Sequence, residues 1–288
     1  MHKLRILITG AGGQLGRSIM DIAAFYPGFE FIFSSRQDLP VEQKSRTEAV
    51  FDAVRPQVCI NCAAYTAVDR AETEKEKAFL VNAEGVKILA DACITYQSKF
   101  LHISTDYVFN GKSSVPYKEE DAVDPLNIYG ASKAEGEALS IAHNAETIII
   151  RTSWVYSEHG SNFVKTMIRL MKEKKELNIV NDQVGAPTYA TDLARTIMQI
   201  INSKLWLPGI YHYSNEGNIS WYDFAMAIKE ITGAKCILHP VPATAYPTPA
   251  QRPSFSLLNT SKIRETYGIN IPLWKESLIK CIDNIQRA

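Results

Sequence analysis

Five apolar runs of strand length punctuate the first half of the chain: Leu4 to Thr9, Phe29 to Phe33, Val58 to Ala64, Phe100 to Ile103 and Thr147 to Arg151. Helical spacing of apolar residues fills the intervals, through Ile19, Ile22 and Ala23, then Thr47 to Val54, then a long stretch from Glu74 to Tyr96. Runs that are apolar throughout suit strands covered on both faces. The alternation, sustained to about residue 155, predicts an α/β fold with a Rossmann-type doubly wound parallel sheet. Such sheets bind ligands beyond the carboxyl ends of their strands.

The pattern loosens after Trp154. Helices are predicted over Phe163 to Lys174, near Asp192 to Ile201 and over Trp221 to Thr232, the last capped by Ser220, with a strand at Tyr211 to Tyr213. Pro240 to Pro253 is too rich in proline and aromatics for a flexible linker and reads as an ordered loop. The expected organisation is a dinucleotide-binding domain over 1–155 and a smaller C-terminal α/β lobe over 156–288. That lobe is mainly substrate-binding, with some segments returning to the first domain.

Composition narrows the partners. The 288 residues carry 31 basic and 31 acidic side chains, so no global field recommends nucleic acid or an anionic membrane. No apolar run approaches the roughly 20 residues of a membrane span, and a cytoplasmic protein is expected. Five cysteines, mostly inside apolar runs, favour reduced, buried thiols. Cys59 and Cys62 have C-x-x-C spacing, but no second Cys or His pair follows at ligand distance, and no metal is expected.

Candidate chemistry begins directly after the first strand, at Gly10-Ala-Gly12-Gly13-Gln14-Leu15-Gly16. Strand, glycine turn and helix in that order suit a pyrophosphate, because the turn lets the backbone approach it and the helix N-terminus stabilises its charge. A simple tight turn is the competing reading. The second strand ends in Ser34-Ser35-Arg36 where folds selecting NAD usually carry an acid, so NADPH is favoured and NADH is possible. A solvated Arg36 is the alternative. Small residues at Ala63 and Ala64 would admit a flat cofactor, or would serve helix packing alone.

Between Ser104 and Lys133 lie a hydroxyl, a phenol and an amine able to form one proton-delivery unit. Tyr129 and Lys133 are four apart and share a helical face. A phenol that titrates near ~10 donates better at neutral pH when a cation stabilises its phenolate, and Lys133 can supply one. Thr105 would join them from a strand end. Further on, Asn181 to Thr188 offers amides and small turn residues to a sugar or nucleotide, or forms an ordinary polar turn. Arg252 suits a diphosphate or a structural ion pair.

Gly10, Gly13 and Gly16, the run Ser104-Thr105-Asp106-Tyr107-Val108-Phe109 and Tyr129-x-x-x-Lys133 together resemble the extended short-chain dehydrogenase/reductase superfamily. Asn61 to Asp69, Arg151 to Tyr156, Asn181 to Thr188, Ala245 to Ala250 and Arg252-Pro253 narrow the resemblance to its dTDP-4-dehydrorhamnose reductases. The resemblance implies reduction of the C4 ketone of dTDP-4-dehydro-L-rhamnose by a nicotinamide hydride, giving dTDP-L-rhamnose for cell-surface polysaccharide. It implies catalytic roles for Thr105, Tyr129 and Lys133. Cofactor contacts are implied for Gly10, Gly12, Gly13, Gln14, Leu15, Gly16, Ser34, Ser35, Arg36, Leu39, Ala63, Ala64, Tyr65, Asn82, Ser104, Tyr129 and Lys133. Substrate contacts are implied for Thr66, Val68, Thr105, Asp106, Tyr107, Phe109, Tyr129, Trp154, Asn181, Gln183, Ala186, Pro187, Thr188 and Arg252.

Some relatives join as magnesium-bridged dimers through glutamates of the first helix. Here that helix reads Arg17-Ser18-Ile19-Met20-Asp21, so monomer and homodimer both stay open. Two other readings are a reductase of another nucleotide-linked 4-keto-6-deoxysugar, and a non-catalytic protein similar to the regulatory subunit of methionine adenosyltransferase.

Overall fold

Six parallel strands make the central sheet: β1 (Leu4–Thr9), β2 (Phe29–Ser34), β3 (Val58–Asn61), β4 (Lys99–Thr105), β5 (Ile148–Thr152) and, much later in the chain, β10 (Gly209–Tyr213). Their order across the sheet is β10-β5-β4-β3-β1-β2 in this computed structural model, which describes residues 3–203 and 205–287. β1 pairs with β2 on one side and β3 on the other, so the chain reverses its winding there and opens a crevice at the strand ends.

Alternation along each strand divides the core. Ile6, Ile8, Ile60, Ile148 and Ile150 face one side, while Leu7, Cys59 and Phe100 face the other. Full burial of each large apolar side chain is worth roughly 1.5–3 kcal/mol, which makes β1 a firm base for the turn that follows it. Helix α1 (Gln14–Ile22) covers the first side, and α2 (Lys44–Val54) and α5 (Gly85–Thr95) cover the second.

The expected continuous helix from Glu74 to Tyr96 is interrupted. After α3 (Val68–Ala71), α4 (Lys75–Phe79) passes through a π-helical turn, Leu80–Glu84, before α5 begins. The widened turn places Asn82 against α6 (Ile128–His143), and a Cβ on Gly136 would meet the Asn82 carbonyl at 2.0 Å. Only glycine permits that approach. Asn127 caps α6, its side chain accepting from Gly130 N at 2.8 Å.

The remaining elements are β6 (Val155–Tyr156), α7 (Phe163–Glu173), β7 (Glu176–Val180), β8 (Val184–Gly185), β9 (Thr188–Tyr189), α8 (Ala190–Asn202), β11 (Ile219–Ser220), α9 (Trp221–Thr232), β12 (Ile237–Val241), α10 (Ser261–Tyr267) and α11 (Trp274–Arg287). A separate core gathers α7, α9 and α11 around Val164, Phe224, Ile228, Leu278 and Ile282. α8, β10 and α10 pack instead on the main sheet through Leu193, Ile197, Tyr211 and Ile263. Ser220 caps α9 in a reciprocal box with Asp223. Pro240 lies in β12 rather than in a loop; a proline is tolerated there because, among the described residues, β12 pairs only with β7 and has a free edge. Among the described residues, no helix is long and apolar enough to cross a membrane.

Candidate active site

At the carboxyl ends of β1, β3, β4 and β5 lies a cleft of about 1100 Å³. Its wall on one side is the glycine turn. Gly10 has φ +62, and a Cβ there would lie 2.6 Å from Ala63 N, so both the backbone angle and the neighbouring strand end demand glycine. Gly13 precedes α1 without a side-chain cap, and Gly13, Gln14 and Leu15 line the cleft. The N–H groups of the first helical turn are thus left for a ligand, as a pyrophosphate requires. Arg36, Leu39, Val41, Glu42, Ala63, Ala64 and Tyr65 continue the wall. Ser104 adds a buried hydroxyl without a hydrogen-bond partner. These residues fit a dinucleotide.

Thr105, at the end of β4, accepts from Tyr107 N at 3.2 Å and donates to Asp106 Oδ1 at 3.1 Å. Burial pushes the Asp106 carboxyl up to about 7, against the pull of the Ser256 and Thr105 hydroxyls. Tyr129, in the first turn of α6, meets Tyr107 edge-on with centroids 5.8 Å apart. Burial pushes its phenol up to about 12; the Thr105 hydroxyl pulls it down and the Asp106 charge raises it again. Tyr129 is therefore protonated across the neutral range. Lys133 lies one turn on, its Nζ 2.6 Å from the Ile103 carbonyl and 3.2 Å from His102 Nε2. Burial lowers this lysine to about 8. The cation expected beside the phenol is thus held by the strand and by His102.

Opposite stand three aromatics. Trp154 adopts φ +48, uncommon for a bulky residue, and its ring stacks on Trp221 with centroids 3.6 Å apart. Phe163 packs against Trp221 from below at 4.7 Å. Trp221 and Phe163 line the cleft although their positions in amphipathic helices mark them only as core. Asp69, the end of the Asn61 to Asp69 stretch and given no role by the sequence, also lines the cleft; it accepts from Arg252 at 3.1 and 2.8 Å, and that pairing holds its carboxyl below the usual range. Arg252 lines the cleft as one half of this ion pair. Thr66 and Val68 complete that rim.

Several residues expected at ligands lie elsewhere. Gly12 faces outward, and Gly16 is turned onto Ala11. The Ser34 carbonyl accepts from Ala11 N, and Ser35 is engaged by Asp38 at 2.6 Å, leaving Arg36, itself 3.5 Å from Glu42, as the cation on that rim. Asn82 spends its amide on the Tyr65 backbone and Ser132, and so braces the loop after β3. Phe109 is fully buried and stacked on Tyr117, because the turn after Thr105 carries it under the cleft floor. Asn181 and Gln183 sit on an outer strap, Asn181 bonded to Val241 O and Val184 to Ser254 O. Ala186, Pro187 and Thr188 are buried behind Trp154, with Thr188 hydrogen-bonded to Thr152 at 3.0 Å. This segment backs the tryptophan instead of lining the cleft.

The family described as RmlD substrate binding domain matches residues 4–287. A dTDP-4-dehydrorhamnose reductase of Aggregatibacter actinomycetemcomitans is 45% identical, over 95% of this chain and 97% of that one. The structure of a dTDP-4-dehydrorhamnose reductase from Clostridium acetobutylicum superposes with TM-score 0.94 at 42% identity, over 98% of this chain and 99% of that one. The dTDP-4-dehydrorhamnose reductase of Bacillus anthracis, in complex with NADP, gives TM-score 0.94 at 38% identity with the same coverage. With likeness of this extent in sequence and fold, and with the glycine turn and the Thr105, Tyr129 and Lys133 cluster meeting in one cleft, the chain belongs to the dTDP-4-dehydrorhamnose reductases.

Proposed function

We propose that this protein reduces the C4 ketone of dTDP-4-dehydro-L-rhamnose to dTDP-L-rhamnose with NADPH. The observation that carries the reading is a single cleft with the glycine turn at one side, Trp154 and Trp221 at the other, and Thr105 and Tyr129 between them. The glycine turn and Arg36 would hold a nicotinamide dinucleotide, which would supply a hydride to the carbonyl carbon. As the carbonyl π pair moves onto oxygen, the negative charge developing there meets the Thr105 hydroxyl and the Tyr129 phenol. Tyr129 gives its proton to that oxygen and completes the hydroxyl. The Trp154 ring holds the deoxysugar's apolar side, and the Asp69 and Arg252 pair borders the nucleotide portion.

The test is NADPH absorbance followed with purified protein and enzymatically generated dTDP-4-dehydrorhamnose. Oxidation well above the no-enzyme rate is expected. No oxidation would remove the reductase assignment in favour of a binding role, and oxidation only with another 4-keto-6-deoxysugar would reassign the substrate.

Arg36 is the proposed contact for the phosphate that distinguishes NADPH from NADH. Its side chain is 68% exposed, so its contribution falls at the low end of the ~1.5–3 kcal/mol for a hydrogen bond to a charged group. Arg36→Ala should weaken NADPH binding about tenfold and leave NADH binding unchanged. Titration of each cofactor by protein fluorescence measures this, and an unaltered preference removes the role.

A further inference from the structure

The end of β2 lacks the acid that folds selecting NAD usually carry there, and its serines are already engaged. The Ser34 carbonyl accepts from Ala11 N, and Ser35 donates to Asp38 Oδ2 from its hydroxyl at 2.6 Å and from its backbone N at 2.9 Å. Asp38 thereby closes its own turn and does not line the cleft. The carboxylate that lines this rim belongs to Glu42. Packing sets it there. Val41 is buried against the start of α5, where a Cβ on Gly85 would meet Val41 Cγ2 at 2.8 Å, and Gln43 N donates to the Pro40 carbonyl at 2.9 Å, bending the chain towards α2. The Glu42 side chain is 14% exposed, yet among the described residues its carboxylate has no donor closer than Arg36 Nη2, 3.5 Å from Oε1. That is too long for a strong hydrogen bond, and the exposed Arg36 is free to turn.

We infer that Glu42 is a specificity-determining residue for the cofactor: it accepts from the adenosine ribose hydroxyls of NADH, and it competes with the 2′-phosphate of NADPH for Arg36. The inference rests on the reading of Arg36 as the phosphate contact. A carboxylate is an acceptor only, so a ligand that brings hydroxyl donors satisfies it and one that brings a phosphate to the same place does not. Two anions drawn to one guanidinium repel each other, and the partial burial of Glu42 leaves that repulsion less screened than it is in open water. Arg36 and Glu42 thus pull the preference in opposite directions. NADPH is favoured by the guanidinium, and NADH is kept usable by the carboxylate beside it. Glu42 takes the place of the acid missing from the strand end, from a loop that β2 and α5 hold in position.

Fluorescence titration of the full chain with NADPH and with NADH tests this without any turnover. Glu42→Gln keeps the length of the side chain and removes its charge, so NADPH should bind about tenfold more tightly and NADH about threefold more weakly. Glu42→Ala should move both affinities in the same directions, with a larger loss for NADH, and it decides the matter if the glutamine variant does not fold. Equal weakening of both cofactors would place Glu42 on the adenine they share and overturn the inference, as would no change in either. Arg36→Ala separates the two readings. If it leaves NADPH binding unaltered, the Arg36 contact fails, while the NADH affinity of Glu42→Gln, which does not involve Arg36, still decides for or against Glu42.

Discussion

Tyr129→Phe should lower kcat by roughly 10²–10⁴-fold, the usual contribution of a positioned proton donor, with little change in cofactor affinity. The substitution removes one oxygen and retains the ring, so the edge-on contact with Tyr107 survives. The surrounding shell is not disturbed, because the phenol's neighbours there are the Thr105 hydroxyl and the Asp106 carboxyl, which still hydrogen-bond to each other. Steady-state kinetics with the dehydrorhamnose substrate, beside fluorescence titration of NADPH, separate chemistry from binding. Turnover within a fewfold of wild type would assign the proton to another donor. The buried Asp106 carboxyl, raised to about 7, would be the first to examine.

Arg151→Met should destabilise the fold by about 3–5 kcal/mol, because it strands the Glu137 carboxylate in the interior. Arg151 lies on β5 and Glu137 on α6, with the guanidinium donating to the carboxylate at 2.9, 3.1 and 2.7 Å. Their side chains are 3% and 5% exposed, and the guanidinium also covers the Phe109 ring at 5.0 Å. For a chain of this size the loss corresponds to a fall in Tm on the order of 10 °C. Glu137→Leu combined with Arg151→Met should recover most of it, since no charge is then left unpaired. Calorimetry of both variants checks this, and a single variant that melts with wild type would show that Glu137 finds another partner. The pair also bears on catalysis, since Glu137 favours the charged form of Lys133 one turn away.

Local signals made much of the site readable. The glycine turn after β1, and Tyr129 one helical turn before Lys133, are set by residues within a few positions of one another, and backbone geometry carries such spacing directly into space. Apolar runs separated by helical periodicity specified the doubly wound sheet for the same reason. The contributions of Trp221, Phe163 and Asp69 were not readable. Each enters the cleft only because distant segments pack together: Trp221 stacks on Trp154, and Asp69 pairs with Arg252 across 183 residues of chain. Conversely, Asn181 to Thr188 has the polar composition of a recognition loop, yet its backbone is tied to Val241, Ser254 and Ser153 and its Thr188 hydroxyl to Thr152, which holds the segment behind Trp154. Composition counts donors and acceptors but not who occupies them.

The sequence by itself determined the sheet, the glycine turn and the presence of a threonine, a phenol and an amine, because those depend on local periodicity and on residue type. Tertiary structure alone decided the surroundings of the amine. Lys133 is placed on its helix by a four-residue spacing, but what it touches comes from β4, through Ile103 and His102, and beyond them from Asn61 and Thr9 on β3 and β1. A buried proton's position is settled by the whole set of donors and acceptors around it, and that set is assembled only when four separate elements close over one another.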